Sequence, residues 1–168
     1  MSRIVGEEGT PEASSVVMTE LVLPYHTNAL NSVFGGTIMS WIDIAAAISA
    51  GKHCQKDVVT ASIDALHFIA PAYVGWVVEV YARVNYVSRT SVEVGVRVES
   101  IAPKNGKRVH TASAYLTFVA LDDSGKATKA PPLKLKTDDD RRRAEKATVR
   151  REYRLLQKKE ILKKEVEA

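Results

Sequence analysis

The sequence of 168 residues predicts an α+β fold in which one antiparallel sheet wraps around a central, buried helix. The first observation behind this prediction is the segment 33–53, where apolar residues recur at helical spacing on nearly every face, as in an enclosed helix. The second is the change to a period of two after it, typical of strands with one covered face. One buried helix and one half-covered sheet predict a two-layer domain.

The remaining elements follow in chain order. A first strand is expected at 15–23, where a loosely alternating run ends at Pro24, and a loop rich in Asn, Ser and Thr follows it. The helix begins near Gly35-Gly36 and ends near Gly51. Turn-forming residues then separate four longer predicted strands, at 57–68, 75–87, 90–102 and 108–121.

Composition divides the chain into three parts: a flexible leader at 1–14, the domain at 15–135, and a charged C-terminal helix at 136–168. The leader is polar and contains Gly and Pro. From Thr137 onward the chain has no Gly or Pro and is rich in helix formers, with acids first and lysines near the end. Because its apolar stripe is thin, we expect an exposed helix that supports an oligomer.

Several functional classes are disfavoured by composition. There is one cysteine, Cys54, so no intrachain disulfide can form, and no signal peptide or membrane-spanning run is present. We therefore expect a cytoplasmic protein without membrane insertion. The net charge of +4 suits an anionic partner, but the basic residues of the C-terminal helix alternate with acids, which disfavours nucleic acid. The four histidines lack metal-ligand spacing, so no metal and no cofactor are expected.

The segment that can carry chemistry is the helix and the loop before it. Asp43 stands between isoleucines in the helix, where an ionised carboxylate is costly unless it is paired or used. The glycine pair Gly35-Gly36 leaves backbone N–H groups bare at the positive end of the helix, where an oxyanion is stabilised. Asn28 in the loop can orient a water or a carbonyl. Each also has a structural interpretation: a satisfied helix Asp, a tight helix entry and a turn Asn.

Spacing along the helix indicates how these groups can act together. Gly35 and Asp43 are eight residues apart, which is about 12 Å along one helix axis. Both cannot contact one scissile carbonyl within a single chain. If both act on one substrate, two antiparallel helices must bring Gly35 of one chain to Asp43 of another, which predicts two composite sites per homodimer.

The residues themselves resemble a known family. The run His26-Thr27-Asn28-Ala29-Leu30-Asn31-Ser32-Val33-Phe34-Gly35-Gly36, followed by Met39-Ser40-Trp41-Ile42-Asp43, is similar to the hotdog-fold acyl-CoA thioesterases, and more narrowly to the YciA-type enzymes and the cytosolic acyl-CoA hydrolases. Further matches are 58–64, Arg89-Thr90-Ser91 and 118–122, so that the resemblance covers about residues 15–135.

The resemblance implies a hotdog fold and hydrolysis of acyl-CoA. It places the catalytic Asn on Asn28, the catalytic acid on Asp43 and the oxyanion-stabilising backbone amide on Gly35. Asp43 would activate water or attack to form an anhydride, without a metal. The minimal active unit would be a homodimer with one continuous sheet, commonly assembled further as a trimer of dimers, that is, a hexamer.

The family position also implies a set of groups that bind coenzyme A. Arg89, before Thr90 and Ser91, would contact its phosphates, with a surface turn arginine as the alternative interpretation. The remaining members of the set are Gly36 at the helix entry and Thr60, Ala61 and Ser62, whose strand backbone groups would flank the pantetheine arm.

Three other interpretations stay open. A hotdog module can bind acyl-CoA without hydrolysing it, but a sensor is expected to lack Asp43 or to carry an attached DNA-reading module. A hotdog dehydratase requires an Asp/His pair at the helix entry, where Asn28 and Phe34 stand. His53-Cys54 as a nucleophilic pair is disfavoured, because neighbours on a helix point about 100° apart.

Overall fold

The structure is a computed structural model that describes the backbone of residues 9–166 and the side chains of residues 9–161, except that of Ala65. It contains five strands, two long helices and the short 3-10 helix Pro24–His26. In chain order these are β1 Val16–Leu21, α1 Gly35–Cys54, β2 Val58–Phe68, β3 Val77–Val87, β4 Ser91–Ile101, β5 Arg108–Ala120 and α2 Asp138–Val166.

The five strands form one antiparallel sheet in the order β1-β3-β4-β5-β2. Strands β3, β4 and β5 are joined by short connections, so they lie side by side in the middle of the sheet. Strand β2 precedes them in the chain and, among the described strands, pairs only with β5, which makes it an edge strand of 11 residues. The sheet confirms the predicted antiparallel architecture.

The inner face of the sheet is lined almost wholly by valine and alanine, and α1 packs against it. Alternation places every second residue of β3 and β4 on this face, and the branched valines suit a pleated surface. The helix contributes residues at a spacing of three and four to the same core. Its buried apolar members are Ile38, Trp41, Ile42, Ala45, Ala46, Ala50 and Cys54.

The prediction that α1 is enclosed on all sides is wrong for the single chain. Met39, Ile44 and Ile48 lie on the face turned away from the sheet, and each is 41–48% exposed. Nothing in the described chain covers this face, because the sheet wraps only one side of the helix. The helix ends at Cys54, three residues beyond the expected stop, and Gln55 takes the left-handed conformation with its N–H bonded to the Gly51 carbonyl.

The outer face of the sheet is polar, and α2 lies across it. Arg150 of α2 pairs with Glu93 of β4, and Arg154 pairs with Asp64 of β2. Near the start of α2, Asp139 pairs with Arg83 of β3. The C-terminal helix is therefore docked by ion pairs along much of its length, which the thin apolar stripe used for its prediction did not reveal.

Residues 9–14 also differ from the flexible leader predicted at 1–14, of which residues 1–8 lie outside the described part. Thr10 and Ser14 are buried, and the Ser14 hydroxyl accepts a hydrogen bond from the Val84 amide of β3 at 3.1 Å. This turn is fixed by polar contacts to the sheet, which its composition does not indicate. Among the helices of residues 9–166, none has the length and apolar character needed to cross a lipid bilayer.

Candidate active site

Asp43 lies on the uncovered side of α1, half-buried, and faces the edge strand β2. The Thr60 hydroxyl of β2 donates a hydrogen bond to its Oδ1 at 2.8 Å. The second carboxylate oxygen has no partner among the described residues. A carboxylate held by one hydrogen bond, with one oxygen free, can accept a proton from water or attack a carbonyl carbon.

Strand β2 is irregular at this point. Its pairing with β5 shifts register between Thr60 and Ser62, and Ala61 has no partner in the ladder. Such a bulge re-aims neighbouring side chains and is common beside functional sites. Here it turns Thr60 inward to Asp43, while the Ser62 hydroxyl turns outward and donates to Asp64 at 2.9 Å.

The expectation for Thr60, Ala61 and Ser62 concerned their strand backbone groups and stays a prediction. The Thr60 side chain is bonded to Asp43, and the Ser62 side chain belongs to the cluster with Asp64 on the outer face. The backbone of Ala61 and Ser62 lies along the edge of the sheet.

The helix entry supplies two bare backbone donors. Thr37 and Ile38 donate to the Phe34 carbonyl, at 2.9 and 3.3 Å, whereas the N–H groups of Gly35 and Gly36 donate to no partner in the described chain. The Phe34 ring lies against Gly36, so that a β-carbon there would clash with it, and the Phe68 ring lies beside Gly35. Two such N–H groups at the positive end of a helix are suited to a developing negative charge, and the role predicted for Gly35 stays a prediction.

Asn28 organises the loop before the helix. Its Oδ1 accepts hydrogen bonds from the Leu30 amide at 2.9 Å and from the Ser32 amide and hydroxyl at 3.4 and 3.2 Å. Its backbone N–H donates to the Ser32 carbonyl at 2.9 Å. The turn interpretation therefore holds for the acceptor oxygen. The exposed side-chain NH₂ group donates to no partner among the described residues and is free to donate to a carbonyl or a water.

His26 attaches this loop to the helix. Its Nδ1 accepts a hydrogen bond from the Leu23 amide, and its ring meets the Trp41 ring edge-on at 5.0 Å between centroids. Its carbonyl accepts the Phe34 N–H at 2.9 Å. The loop that carries Asn28 is thus positioned against α1 from both ends.

Arg89, Thr90 and Ser91 lie where β3 turns into β4. The carbonyls of Arg89 and Thr90 accept the amides of Ala130 and Ala120 at 3.0 Å each, and the Ser91 carbonyl accepts the Ser88 amide at 2.8 Å. The exposed Arg89 side chain has no partner in the described structure and opens onto a cavity of about 610 Å³. Its lining includes apolar side chains such as Leu133 and Leu135. It also carries three cations, Arg89, Lys129 and Arg141, and one carboxylate, Glu145.

Sequence reasoning missed Lys129 and Arg141, because one lies in an irregular segment and the other on α2, far from Arg89 along the chain. Gly35 opens onto a separate apolar pocket of about 340 Å³, lined by Val33, Ile38 and Phe68 among others.

The His53-Cys54 pair is not assembled for catalysis. Cys54 is buried in the core at 1% exposure, and burial raises the pKa of its thiol. The His53 Nε2 is hydrogen-bonded to the Pro131 carbonyl at 3.0 Å, away from the sulfur. Across the described side chains, no three His, Cys, Asp or Glu residues converge as metal ligands.

Known proteins of one family resemble this chain over most of its length. The family model of the thioesterase superfamily matches residues 30–106. YkhA of Bacillus subtilis, named an uncharacterized acyl-CoA thioester hydrolase, is 40% identical over 78% of this chain and 79% of its own. The chain belongs to the acyl-CoA thioesterase family. The predicted family, the hotdog fold and the enzyme class are thereby confirmed.

Solved structures of this thioesterase family superpose closely on this chain. A hexameric acyl-CoA thioesterase matches with a TM-score of 0.85 and 41% identity, over 88% of this chain and 95% of its own. An acyl-CoA hydrolase of Staphylococcus aureus, solved with butyryl coenzyme A, coenzyme A and coenzyme A disulfide, matches with a TM-score of 0.85 and 35% identity, over 92% and 94%. Variants of that enzyme replace its Asp43, its Thr60 or its Asn28 by alanine.

Some matching members of the family are longer. The chain spans only 30% of the length of the rat and mouse acetyl-coenzyme A thioesterases, to which it is 40% identical.

Proposed function

We propose that this thioesterase hydrolyses acyl-CoA to a free carboxylic acid and coenzyme A, at a site shared between two copies of the chain. The observation that carries the proposal is the Asp43–Thr60 hydrogen bond on the side of α1 that the sheet leaves open. A carboxylate with one oxygen fixed and one free, beside an unpaired strand edge, is placed for a substrate that enters between two chains.

The uncovered surface supports the dimer. The exposed face of α1 is continuous with the edge strand β2, where Val59, Ile63 and Phe68 are also exposed. A long apolar edge strand is normally covered or paired, because its free backbone groups invite another strand. Two-fold pairing along β2 would continue the sheet and place two α1 helices against each other. It would also bring Gly35 of one chain towards Asp43 of the other, removing the separation of about 12 Å within one helix.

The proposed assembly goes further than a dimer. The hexameric relative supports a trimer of dimers, and α2 offers the exposed apolar residues Tyr153, Leu156 and Ile161 for contacts beyond the pair.

In the proposed reaction, the Gly35 N–H donates to the thioester oxygen and stabilises the negative charge that develops there. Because the Asn28 Oδ1 is used within its loop, Asn28 acts through its NH₂ group, as a donor to the carbonyl or to the attacking water. Asp43 takes a proton from that water as the water oxygen attacks the carbonyl carbon, or it attacks directly to form an anhydride that water then hydrolyses. On either route the C–S bond breaks, the thiolate leaves with the electron pair, and no metal is needed.

Coenzyme A would lie with its phosphates near Arg89, Lys129 and Arg141 and its adenine against the apolar cavity wall. Arginine forks are suited to phosphate oxygens. The pantetheine arm would then follow the backbone of Thr90 and Ser91 and the bulged edge at Ala61 toward Asp43.

The Staphylococcus aureus enzyme supports these assignments. The three residues replaced there have the same types and numbers as Asn28, Asp43 and Thr60 of this chain. We also propose that the enzyme acts in the cytoplasm, since its single cysteine is unpaired and buried, as suits a reducing compartment.

The test is hydrolysis followed by released thiol across short, medium and long acyl-CoAs. Asp43→Asn keeps the shape of the side chain and removes its charge, and we expect activity to fall by about 10³-fold or more. Asp57→Asn, the same change at an exposed position before β2, is the control. Full activity of Asp43→Asn would overturn the catalytic assignment, and tight acyl-CoA binding by the wild type without turnover would favour the binding-module alternative.

A further inference from the structure

A groove of about 500 Å³ lies on the outer face of the sheet, beneath α2. Strands β1, β3, β4 and β5 form its base, and the first half of α2 forms one wall. It is on the opposite side of the sheet from α1 and Asp43, so it is not part of the proposed active site. Six cationic side chains line it: Arg83, Arg97, Arg142, Arg143, Lys146 and Arg150.

The positive charge of this groove is only partly compensated. The five arginines of this set all pair with carboxylates that do not line the groove. The carboxylates are Glu93, Glu99, Asp139 and Asp140. Lys146 has no partner among the described residues. Six cations against four carboxylates leave two positive charges in excess, in a concave site where the field is focused.

The base of the groove also holds buried polar atoms without partners in the described structure. Asn85 is 2% exposed, and its Oδ1 accepts no hydrogen bond, while its Nδ2 lies 3.4 Å from Glu93. The Nε of Arg83 is likewise buried and unbonded. Gly95 lies under Asn85, and a β-carbon there would clash with the amide, so the glycine leaves room for the amide. Buried polar atoms of this kind normally have a partner.

From these observations we infer that the groove binds a small anion carrying two or more phosphoryl groups. Guanidinium groups on both sides match phosphate oxygens, and the excess of two positive charges favours a multiply charged ligand. The volume is in the range of small-molecule sites and exceeds what one phosphate would fill. A hydroxyl group of the ligand can donate to the free Oδ1 of Asn85, and phosphoryl oxygens can accept from the free Nε of Arg83. The inference is independent of the proposed acyl-CoA chemistry.

The test is calorimetric titration of the full-length protein with sodium tripolyphosphate at about 0.1 M salt, where long-range attraction is screened. The variant is Lys146→Glu, on an exposed side chain of α2 that lines the groove. The matched control is Lys158→Glu, the same change further along α2 and outside the groove. Circular dichroism melting verifies that both variants fold like the wild type.

We expect saturable binding of one tripolyphosphate per chain, weakened at least about tenfold in Lys146→Glu and unchanged in Lys158→Glu. Binding should persist when coenzyme A saturates the protein. A nucleoside triphosphate titrated in parallel would bind more tightly if a nucleoside also fits the groove, and equally if only the phosphates are held.

Three results would overturn the inference. The first is no binding at millimolar tripolyphosphate. The second is equal weakening by both variants, which would indicate diffuse attraction to a basic helix. The third is displacement by coenzyme A, which would place the anion in the active site.

Discussion

Replacing Thr60 by valine removes the hydroxyl that holds Asp43 and keeps the size of the side chain. The hydrogen bond is 2.8 Å long and its acceptor is a carboxylate. Hydrogen bonds to charged groups contribute about 1.5–3 kcal/mol, and the exposure of Thr60 in the single chain favours the lower end. If poorer orientation of Asp43 removes about 1.5 kcal/mol of transition-state stabilisation, kcat falls roughly tenfold. Because the hydroxyl orients Asp43 rather than the substrate, KM should change by less than about twofold.

The assay is thiol release under saturating acyl-CoA, with Thr60→Ser as the variant that keeps the hydroxyl and should keep most of the activity. Thr117→Val is the matched control. Thr117 lies on the adjacent strand, β5, and its buried hydroxyl on the outer face has no hydrogen-bond partner in the described structure. We expect it to leave kcat unchanged. A Thr60→Val enzyme with normal kcat and raised KM would refute the orientation argument and return Thr60 to a substrate contact.

Three further predictions concern stability and reactivity. Arg150→Met should destabilise the protein by about 2–4 kcal/mol in urea unfolding, because it leaves the buried Glu93 carboxylate unpaired, and Glu93→Gln added to it should recover part of the loss. The hydrogen bond from Arg143 is the main cause that lowers the pKa of Asp139, so its contribution to stability is complete above the unfolded pKa of about 3.9 and is lost as the pH falls below it. Urea midpoints measured from pH 7 to pH 3 should therefore fall less steeply in Asp139→Asn, and identical slopes would contradict this. Cys54 should react with a thiol reagent at pH 8 only after unfolding, since burial raises the pKa of its thiol, and rapid reaction of the native protein would show that the core opens.

The positions of the strands could be predicted well because the alternation of apolar and polar residues directly reflects a sheet with one covered face. The expected segments 75–87, 90–102 and 108–121 became Val77–Val87, Ser91–Ile101 and Arg108–Ala120. The boundaries differ by at most two residues, since turn-forming residues stand at each break. The 3-10 helix Pro24–His26 within the expected loop was not predicted, because a single turn has no periodicity to detect.

The candidate site was only partly predictable. The residues Asn28, Gly35 and Asp43 could be selected from residue type and spacing and from the resemblance, and their roles stay predictions. The contact between Thr60 and Asp43 depends on a bulge at Ala61. No local sequence pattern indicates where the pairing of two strands shifts by one residue. The side of the strand to which Ser62 points follows from the same bulge.

The extent to which helix α2 contacts the sheet was underestimated for a different reason. Amphipathic periodicity detects apolar contact, whereas α2 docks through arginines such as Arg150 and Arg154 on partners distant in sequence. The apolar residues of its stripe, Val149, Tyr153 and Leu156, are indeed exposed.

The two covers of the sheet differ in kind, and the difference bears on how freely each can change. Helix α1 is part of the apolar core, so a substitution there must preserve volume as well as polarity. Helix α2 rests on a surface that is already polar, with Arg97, Glu99 and Arg108 among the side chains of that face. Substitutions at the exposed positions of residues 138–166 therefore alter the outer surface without rebuilding the layer that holds Asp43. The positions that contact buried partners, such as Arg150 on Glu93, are the exception, because their loss leaves a buried charge unpaired.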